Sequence, residues 1–145
     1  MEIRLIINAE PMGKERPKFA RRGGFVTTYT PEKTSNYQDM VRKIFKQQYP
    51  DAKEGNTVLG DKPLSMEIYS YFKIPKAYSK TKHQDAVNGI IRPTVKPDFD
   101  NLAKIIADSL NGLAYDDDKQ IVDAIQHKFY SEEPHSEVII KTIGE

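Results

Sequence analysis

The chain contains no cysteine among its 145 residues, and its hydrophobic runs are short. Without cysteine it can form no disulfide framework, no thiolate metal site and no cysteine nucleophile. No apolar run approaches the roughly 20 residues that a membrane-spanning helix needs. A composition of 38% hydrophobic and 30% charged residues is typical of a soluble globular protein. We therefore expect a single cytoplasmic domain over residues 1–145, without membrane association.

A large excess of charge of either sign is also missing, since the formal net charge is +1. The charges are nevertheless unevenly distributed, because residues 14–22 and 73–96 are basic and residues 113–145 are acidic. Such asymmetry is typical of basic flanks that bind nucleic-acid phosphates around an acidic metal pocket. Ordinary solvated surface charge is the alternative for several of the lysines. The predicted phosphate contacts are Lys14, Arg16, Arg21, Arg22, Lys73, Lys76, Lys80 and Lys96.

The most informative stretch runs from Lys96 to Lys104 and reads KPDFDNLAK. Asp98 is suited to the N-cap of a helix that begins at Phe99, and Gly112 is the expected C-terminal stop. Apolar residues at helical spacing form one stripe, which predicts a buried face. The stripe consists of Phe99, Leu102, Ala103, Ile106, Leu110 and Leu113.

Acidic residues surround this predicted helix. Three charged residues recur at steps of four on another of its faces: Asp100, Lys104 and Asp108. The turn that follows adds Asp116, Asp117 and Asp118. Magnesium prefers oxygen ligands and shares its shell with water and substrate phosphate, so a few protein carboxylates suffice to hold it. The pattern indicates a metal-dependent site that cuts phosphodiesters.

Each piece of this pattern also has a purely structural interpretation. Asp98 could act only as a helix cap, and Asp100 and Asp108 could form solvated ion pairs with Lys104. Residues 116–118 could be a polar turn before a strand. Taken singly, each structural interpretation is the simpler one. Together, four acids and a lysine that converge on one helix favour a functional site.

These residues closely resemble the RusA family of Holliday junction resolvases. That family carries an aspartate pair in D-x-D-N, a lysine four residues after the second aspartate, and a D-D-x-Q-[VI] segment. All three are present, at residues 98–101, 104 and 117–121. Residues 12–17 also resemble the family's N-terminal K-x-R-P element, and residues 28–37 the segment after it. The connection between the two acidic motifs is one residue shorter than in the best-known member.

The resemblance implies a catalytic role for four residues: Asp98, Asp100, Lys104 and Asp118. The three aspartates would bind the metal, with Asp117 as the alternative to Asp118. The implied cofactor is Mg²⁺, with Mn²⁺ as an alternative. The implied partner is branched DNA, a four-way junction that a homodimer cuts by paired symmetric nicks through metal-activated water. Members of the family often occur in prophages.

Two other functions fit the same residues. The first is a different magnesium-dependent nuclease that acts on flaps or general branched DNA. The second is a structure-specific DNA-binding module without catalysis, in which the carboxylates serve only in capping and ion pairing. Metal-dependent cutting distinguishes the second from the enzymes, and a comparison of substrates distinguishes the first.

The remaining chain predicts the elements around this motif. Strands are expected at residues 1–8, 64–73, 121–129 and 138–143, and a hairpin at 18–29 with a basic tip. A long helix should start at Thr30 and Pro31 and end before Pro50, and Ser79 could cap a short helix. We expect an α+β fold with a mixed or largely antiparallel sheet packed against two main helices, and the resemblance adds a homodimer.

Overall fold

The computed structural model describes residues 1–144, with Arg22 described by its backbone alone. Within this range the chain forms six strands and three α-helices. In chain order these are β1 (Glu2–Ile7), β2 (Lys18–Arg22), β3 (Phe25–Tyr29), α1 (Glu32–Gln48), β4 (Leu64–Lys73), α2 (Lys80–Val87), α3 (Phe99–Leu110), β5 (Ile121–Ser131) and β6 (His135–Thr142). A 3-10 turn at Asp118–Gln120 leads into β5.

Four strands form the main sheet in the order β1-β6-β4-β5. β6 is antiparallel to both β1 and β4, and Val138 lies opposite Leu5 on one side and Ile68 on the other. β4 and β5 are parallel. The sheet is therefore mixed, and residues 132–134 carry the chain across the end of β4 to reach β6.

The helices cover one face of this sheet. Alternation along the strands places one set of apolar side chains on the covered face, including Leu5, Ile68 and Ile140. Helix α1 contributes Val41 and Phe45 to the same core. The buried stripe of α3 consists of Leu102, Ile105, Ile106, Ser109 and Leu110. Each large apolar side chain buried in this way contributes about 1.5–3 kcal/mol.

The predicted α+β class and mixed sheet are confirmed, and the structure refines the helices. The short helix after Ser79 is present as α2, and the Ser79 hydroxyl accepts a hydrogen bond from the Lys82 backbone N–H at 3.2 Å. It makes a third helix beside the two main ones. The predicted N-cap at Thr30 was wrong by one residue, because Pro31 occupies the cap with an extended ψ of 145°. None of the helices within residues 1–144 has the length and apolar character needed to cross a bilayer.

Strands β2 and β3 form a separate two-stranded hairpin. Gly23 and Gly24 at its turn have φ angles of 53° and 86°, as a two-residue hairpin turn requires. All five residues of β3 are exposed. Phe19 and Phe25 are each 74% exposed, so this hairpin presents aromatic and basic side chains to its surroundings.

Candidate active site

The site begins at the N-terminus of α3. Asp98 occupies the N-cap with φ −65° and ψ 154°, as predicted, but its carboxylate makes no capping hydrogen bond within the described residues. The side chain is exposed. A purely structural capping role does not account for Asp98, and its oxygens remain free to bind a ligand.

Asp100 lies between two clefts. The first, of about 330 Å³, lies between α3 and β5 and is lined by Asp100, Lys104 and Asp118; we call it the α3–β5 cleft. A neighbouring cleft is lined by Asp98, Asp100, Lys96 and Lys128. The predicted catalytic residues are thus assembled from the start of α3 and the start of β5, with Asp100 common to both clefts.

The chemistry of these donors suits a hard divalent cation. Carboxylate oxygens are the ligands that magnesium prefers, and it retains several waters when it binds to proteins. Within residues 1–144, no three acidic or histidine side chains already converge closely enough to enclose a metal ion. Asp100 and Asp118 could hold magnesium in the α3–β5 cleft, and Asp98 lines the neighbouring cleft that also contains Asp100.

The three aspartates of the acidic turn have different surroundings. Asp116 accepts a 2.5 Å hydrogen bond from the Thr57 hydroxyl. Asp117 caps the 3-10 turn, where its carboxylate accepts from the Lys119 N–H at 3.4 Å. Asp118 alone of the three lines the α3–β5 cleft. This division favours Asp118 over Asp117 as the metal ligand.

Gln120 fixes the position of the acidic turn. Its side-chain oxygen accepts a hydrogen bond from the Asp117 N–H at 2.8 Å, which completes a capping box. Its amide nitrogen donates to the carbonyls of Gly60 and Lys62 at 2.8 and 2.9 Å. Because Gln120 is buried, these bonds hold the turn rigidly against the loop before β4.

Asp108 is a further member of the site that the sequence placed on the right helix face but did not assign a role. Its Oδ2 lies 3.5 Å from the Lys14 Nζ and 3.9 Å from the Lys104 Nζ. Asp108 also raises the pKa of the Asp118 carboxyl. Asp108 therefore links two lysines to a candidate metal ligand.

The electrostatics of Asp118 reflect this crowding. Burial raises the pKa of its carboxyl above the ordinary value, and the hydrogen bond and charge of Asp108 raise it further, as does the charge of Asp117. Lys104 opposes these effects. A carboxyl group whose ionisation is opposed by neighbouring carboxylates is one whose charge a bound cation would stabilise.

Lys14 lies in the site itself and not on a peripheral surface. Its side chain is only 18% exposed, and its backbone N–H donates to the Asn101 carbonyl at 2.9 Å. The preceding Gly13 packs so closely on Pro97 that an added Cβ would lie 2.6 Å from the proline Cβ. The N-terminal segment at residues 11–15 is thus docked on the start of α3.

The other predicted phosphate contacts lie on accessible surfaces. Lys96 lines both clefts that contain Asp98. Arg16, Arg21, Lys73, Lys76 and Lys80 are exposed. The side chain of Arg22 lies outside the described part of the chain, so its prediction stands as made.

Two lysines near Asp98 were not predicted. Lys33 and Lys128 each line a cleft that contains this aspartate. The Lys128 ammonium donates to the Pro97 carbonyl at 3.0 Å and also to the Val95 carbonyl. Lys128 reaches the cleft beside Asp98 only because β5 pairs with β4. The local sequence pattern therefore could not predict Lys128 as a site residue.

Most of the chain is similar to known proteins. Residues 8–141 match the family model described as "Endodeoxyribonuclease RusA". The chain is also 38% identical over 144 residues to a Bacillus subtilis (strain 168) protein, "Uncharacterized protein YqaN", and the match covers 98% of this chain and 97% of that protein.

Proposed function

The chain belongs to the RusA family of endodeoxyribonucleases, and from that premise we propose that it is a magnesium-dependent enzyme that resolves Holliday junctions. Two subunits of a homodimer would nick opposed strands of a four-way junction symmetrically. The observation that carries the proposal is the single cleft lined by Asp100, Lys104 and Asp118. Asp98 stands beside Asp100 on the adjoining cleft.

Each residue of the site would have a separate task. Asp98, Asp100 and Asp118 would hold the metal, with Mn²⁺ as an alternative to Mg²⁺. When bound, the ion supplies an activated water and stabilises charge on the phosphoryl and leaving oxygens. Lys104, whose side chain is 59% exposed, would place its cation against the scissile phosphate, where charge develops in the transition state.

Asp108 and Lys14 would support this arrangement. By contacting both ammonium groups, the Asp108 carboxylate restricts the positions that Lys104 and Lys14 can take. A positioned cation stabilises the transition state without reorganising during the reaction, which is the principal advantage of a preorganised site.

Basic side chains around the site would bind the DNA backbone. Lys96, Lys33 and Lys128 line the clefts next to Asp98. The hairpin adds Arg21 at its exposed tip. Because each neutralised phosphate releases counterions, binding through these groups should weaken steeply as salt is raised.

The proposal is tested by comparing cleavage of a four-way junction, a flap, a single strand and a linear duplex of related sequence at one salt concentration. Preferential symmetric cutting of the junction supports a resolvase. Preferential cutting of the flap would point to another structure-specific nuclease, and binding of the junction with magnesium but no cutting would point to a non-catalytic module.

A further inference from the structure

We propose that the α3–β5 cleft binds one nucleobase of the DNA substrate, unstacked next to the scissile phosphate, and that this base stacks on Phe99. Phe99 would then be a specificity-determining residue, because a base inside a linear duplex does not expose its face. The inference rests on the proposed function, since it takes the phosphodiester to be cut beside Asp100, Lys104 and Asp118. It adds the part of the substrate that distinguishes a branch point from a duplex.

The first argument is the exposure of Phe99. The apolar stripe of α3 predicted a buried side chain at this position, but Phe99 is 69% exposed, whereas Leu102 three residues later is buried. Among the described residues, no aromatic ring stacks on Phe99. The Phe99 ring is therefore available to a ligand.

The aromatic side chains of the sheet are less suited to this role. Tyr71 and Phe129 lie on neighbouring strands with ring centroids 5.8 Å apart. His135 stacks on Tyr71, and the Arg92 guanidinium lies 3.6 Å from the centroid of the Phe129 ring. Because these rings already stack on one another, their faces are not free for a base.

The second argument is the apolar surface around Phe99. Ile125 lines the α3–β5 cleft with Phe99 and is 55% exposed. Val95 lines the neighbouring cleft with Phe99 and is 58% exposed. Single exposed apolar side chains are common, but several that lie together mark a ligand-binding groove. Phe99 belongs to both clefts and joins the two parts of this surface.

The third argument is the division of the α3 wall into two stripes. Phe99, Ala103 and Ala107 follow one another at steps of four and form an apolar stripe in the α3–β5 cleft. Asp100 and Lys104, each one residue further on, form a charged stripe beside it in the same cleft. A nucleotide has the same division, since a charged phosphate is joined to a flat base with apolar faces. A cleft of about 330 Å³ has room for one base but not for a duplex.

The fourth argument is the supply of cations on both sides of the Phe99 ring. Lys104 lines the α3–β5 cleft, and Lys96 and Lys128 line the neighbouring cleft. Phe99 lines both. A strand that passes from one cleft to the other would contact these lysines with its phosphates while one of its bases lies on Phe99.

Stacking on Phe99 would favour branched DNA for a simple energetic reason. Each base inside a linear duplex is stacked on both sides, and free energy must be spent to take it out of the stack. Stacking is interrupted at a branch point, so a base face becomes available at a smaller cost. The contact with Phe99 therefore adds affinity for the junction and little for the duplex.

An apolar segment of another protein chain is the competing occupant of this cleft. Such a segment would cover Asp100 and Asp118 without supplying a positive partner, and an unpaired buried charge is strongly unfavourable. A nucleotide brings a phosphate that can share a metal ion with these carboxylates. The charges of the cleft thus favour a nucleotide over a protein segment.

The first test compares affinities for a four-way junction and a linear duplex in chelator, where no cutting intervenes. Phe99→Ala should weaken junction binding by about tenfold and leave duplex binding unchanged, because only the stacking contact is lost. Phe99→Tyr keeps an aromatic face and should bind the junction like the wild type. Phe99→Leu is apolar without such a face and should bind like Phe99→Ala.

The control is Ile6→Ala, which shortens an apolar side chain that is 54% exposed on β1 and should change neither affinity. Circular dichroism checks that each variant is folded. Equal losses of junction and duplex affinity in Phe99→Ala would overturn the proposal. Wild-type junction binding by Phe99→Leu would also overturn it, because stacking would then not be the contact.

The second test locates the base directly. 5-Iodouracil is placed at successive positions around the branch point, and the complex is irradiated in chelator, since this base crosslinks to an aromatic ring stacked on it. We expect one position beside the cut phosphodiester to crosslink to Phe99, identified by mass spectrometry of the peptides. Crosslinks to Tyr69, Tyr71 or Phe129 instead, or none to Phe99, would overturn the proposed site.

These outcomes separate the base site from the proposed activity. A protein whose preference for the junction depends on Phe99, but which cuts no DNA with magnesium, would retain the base site and lose the resolvase function. A protein that cuts junctions while Phe99→Ala keeps the full preference for junction over duplex would retain the activity and lose the base site.

Discussion

At the scale of single residues, the two adjacent aspartates of the acidic turn illustrate how position decides role. Asp117 directs its carboxylate back onto the turn as a cap, whereas Asp118 lines the α3–β5 cleft. Both have the same chemistry and differ by one place in the sequence. The capping hydrogen bonds of Asp117 and Gln120 determine which of the two can reach a ligand.

This difference predicts opposite effects of two matched variants. Asp118→Asn should abolish cleavage while leaving stability unchanged, because it removes one charge from the cleft. Asp117→Asn should cut normally, since asparagine caps almost as well as aspartate. Asp117→Ala should lower the free energy of unfolding by about 1 kcal/mol through loss of the cap. Cleavage rates and urea unfolding measure these effects. An inactive but stable Asp117→Asn protein would show that Asp117, and not Asp118, is the metal ligand.

Asp108 gives a prediction for pH dependence. Its hydrogen bond and charge raise the pKa of Asp118, so removal of that charge should lower this pKa towards the ordinary value. Metal binding needs the ionised carboxylate, and activity is therefore lost as pH falls through the pKa of Asp118. Asp108→Asn should move the acidic limb of the pH–rate profile to lower pH. It should also reduce kcat by about 10- to 100-fold, because Lys14 and Lys104 would lose the carboxylate that restricts their positions.

The control for this experiment is Asp39→Asn, which removes one exposed carboxylate from α1. This variant should change neither kcat nor the pH of the acidic limb. An Asp108→Asn profile that falls in kcat without moving along the pH axis would show that Asp108 does not influence Asp118.

At the scale of elements, the N-terminal segment at residues 11–15 completes the site by docking on the start of α3. Gly13→Ala would place a methyl group 2.6 Å from the Pro97 Cβ, so the segment must move and Lys14 with it. Overpacking of this kind costs about 1–3 kcal/mol. We expect a lower Tm and a reduced kcat. Glu15→Ala, at an exposed neighbouring position, should change neither.

The hairpin of β2 and β3 is expected to act in DNA binding. Arg21→Ala together with Arg22→Ala should weaken junction binding and reduce the slope of log affinity against log salt by about 1.8, if both contact phosphates. Lys43→Ala together with Lys46→Ala removes the same charge from exposed positions of α1 and serves as control. Fluorescence anisotropy at several salt concentrations measures the slope, and equal slopes for the two double variants would remove the hairpin from the DNA surface.

Local features of the site were predictable from the sequence, and long-range ones were not. The start of α3 at Phe99 follows from Asp98 at the N-cap position and from the apolar stripe of the helix, and both depend on residues close in sequence. The contact of Lys14 with Asp108 joins residues 94 positions apart, and only tertiary packing brings them together. The same holds for the bonds from Gln120 to Gly60 and Lys62. The assignment of the metal ligands stays a prediction.

At the scale of the whole molecule, the net charge of +1 is the sum of acidic and basic groups that lie in different places. Acids gather where α3 and β5 begin, and basic groups line the adjoining clefts and the hairpin. The basic surfaces would thus bind DNA, and the catalytic groups would lie between them.

The most direct test of the account is cleavage of an end-labelled four-way junction by the wild type and Asp100→Asn, with magnesium or with chelator. We predict paired symmetric nicks that require both magnesium and Asp100, while Asp100→Asn still binds the junction. Lys104→Ala should behave like Asp100→Asn. Normal cutting by Asp100→Asn, or cutting that continues in chelator, would contradict the proposed site.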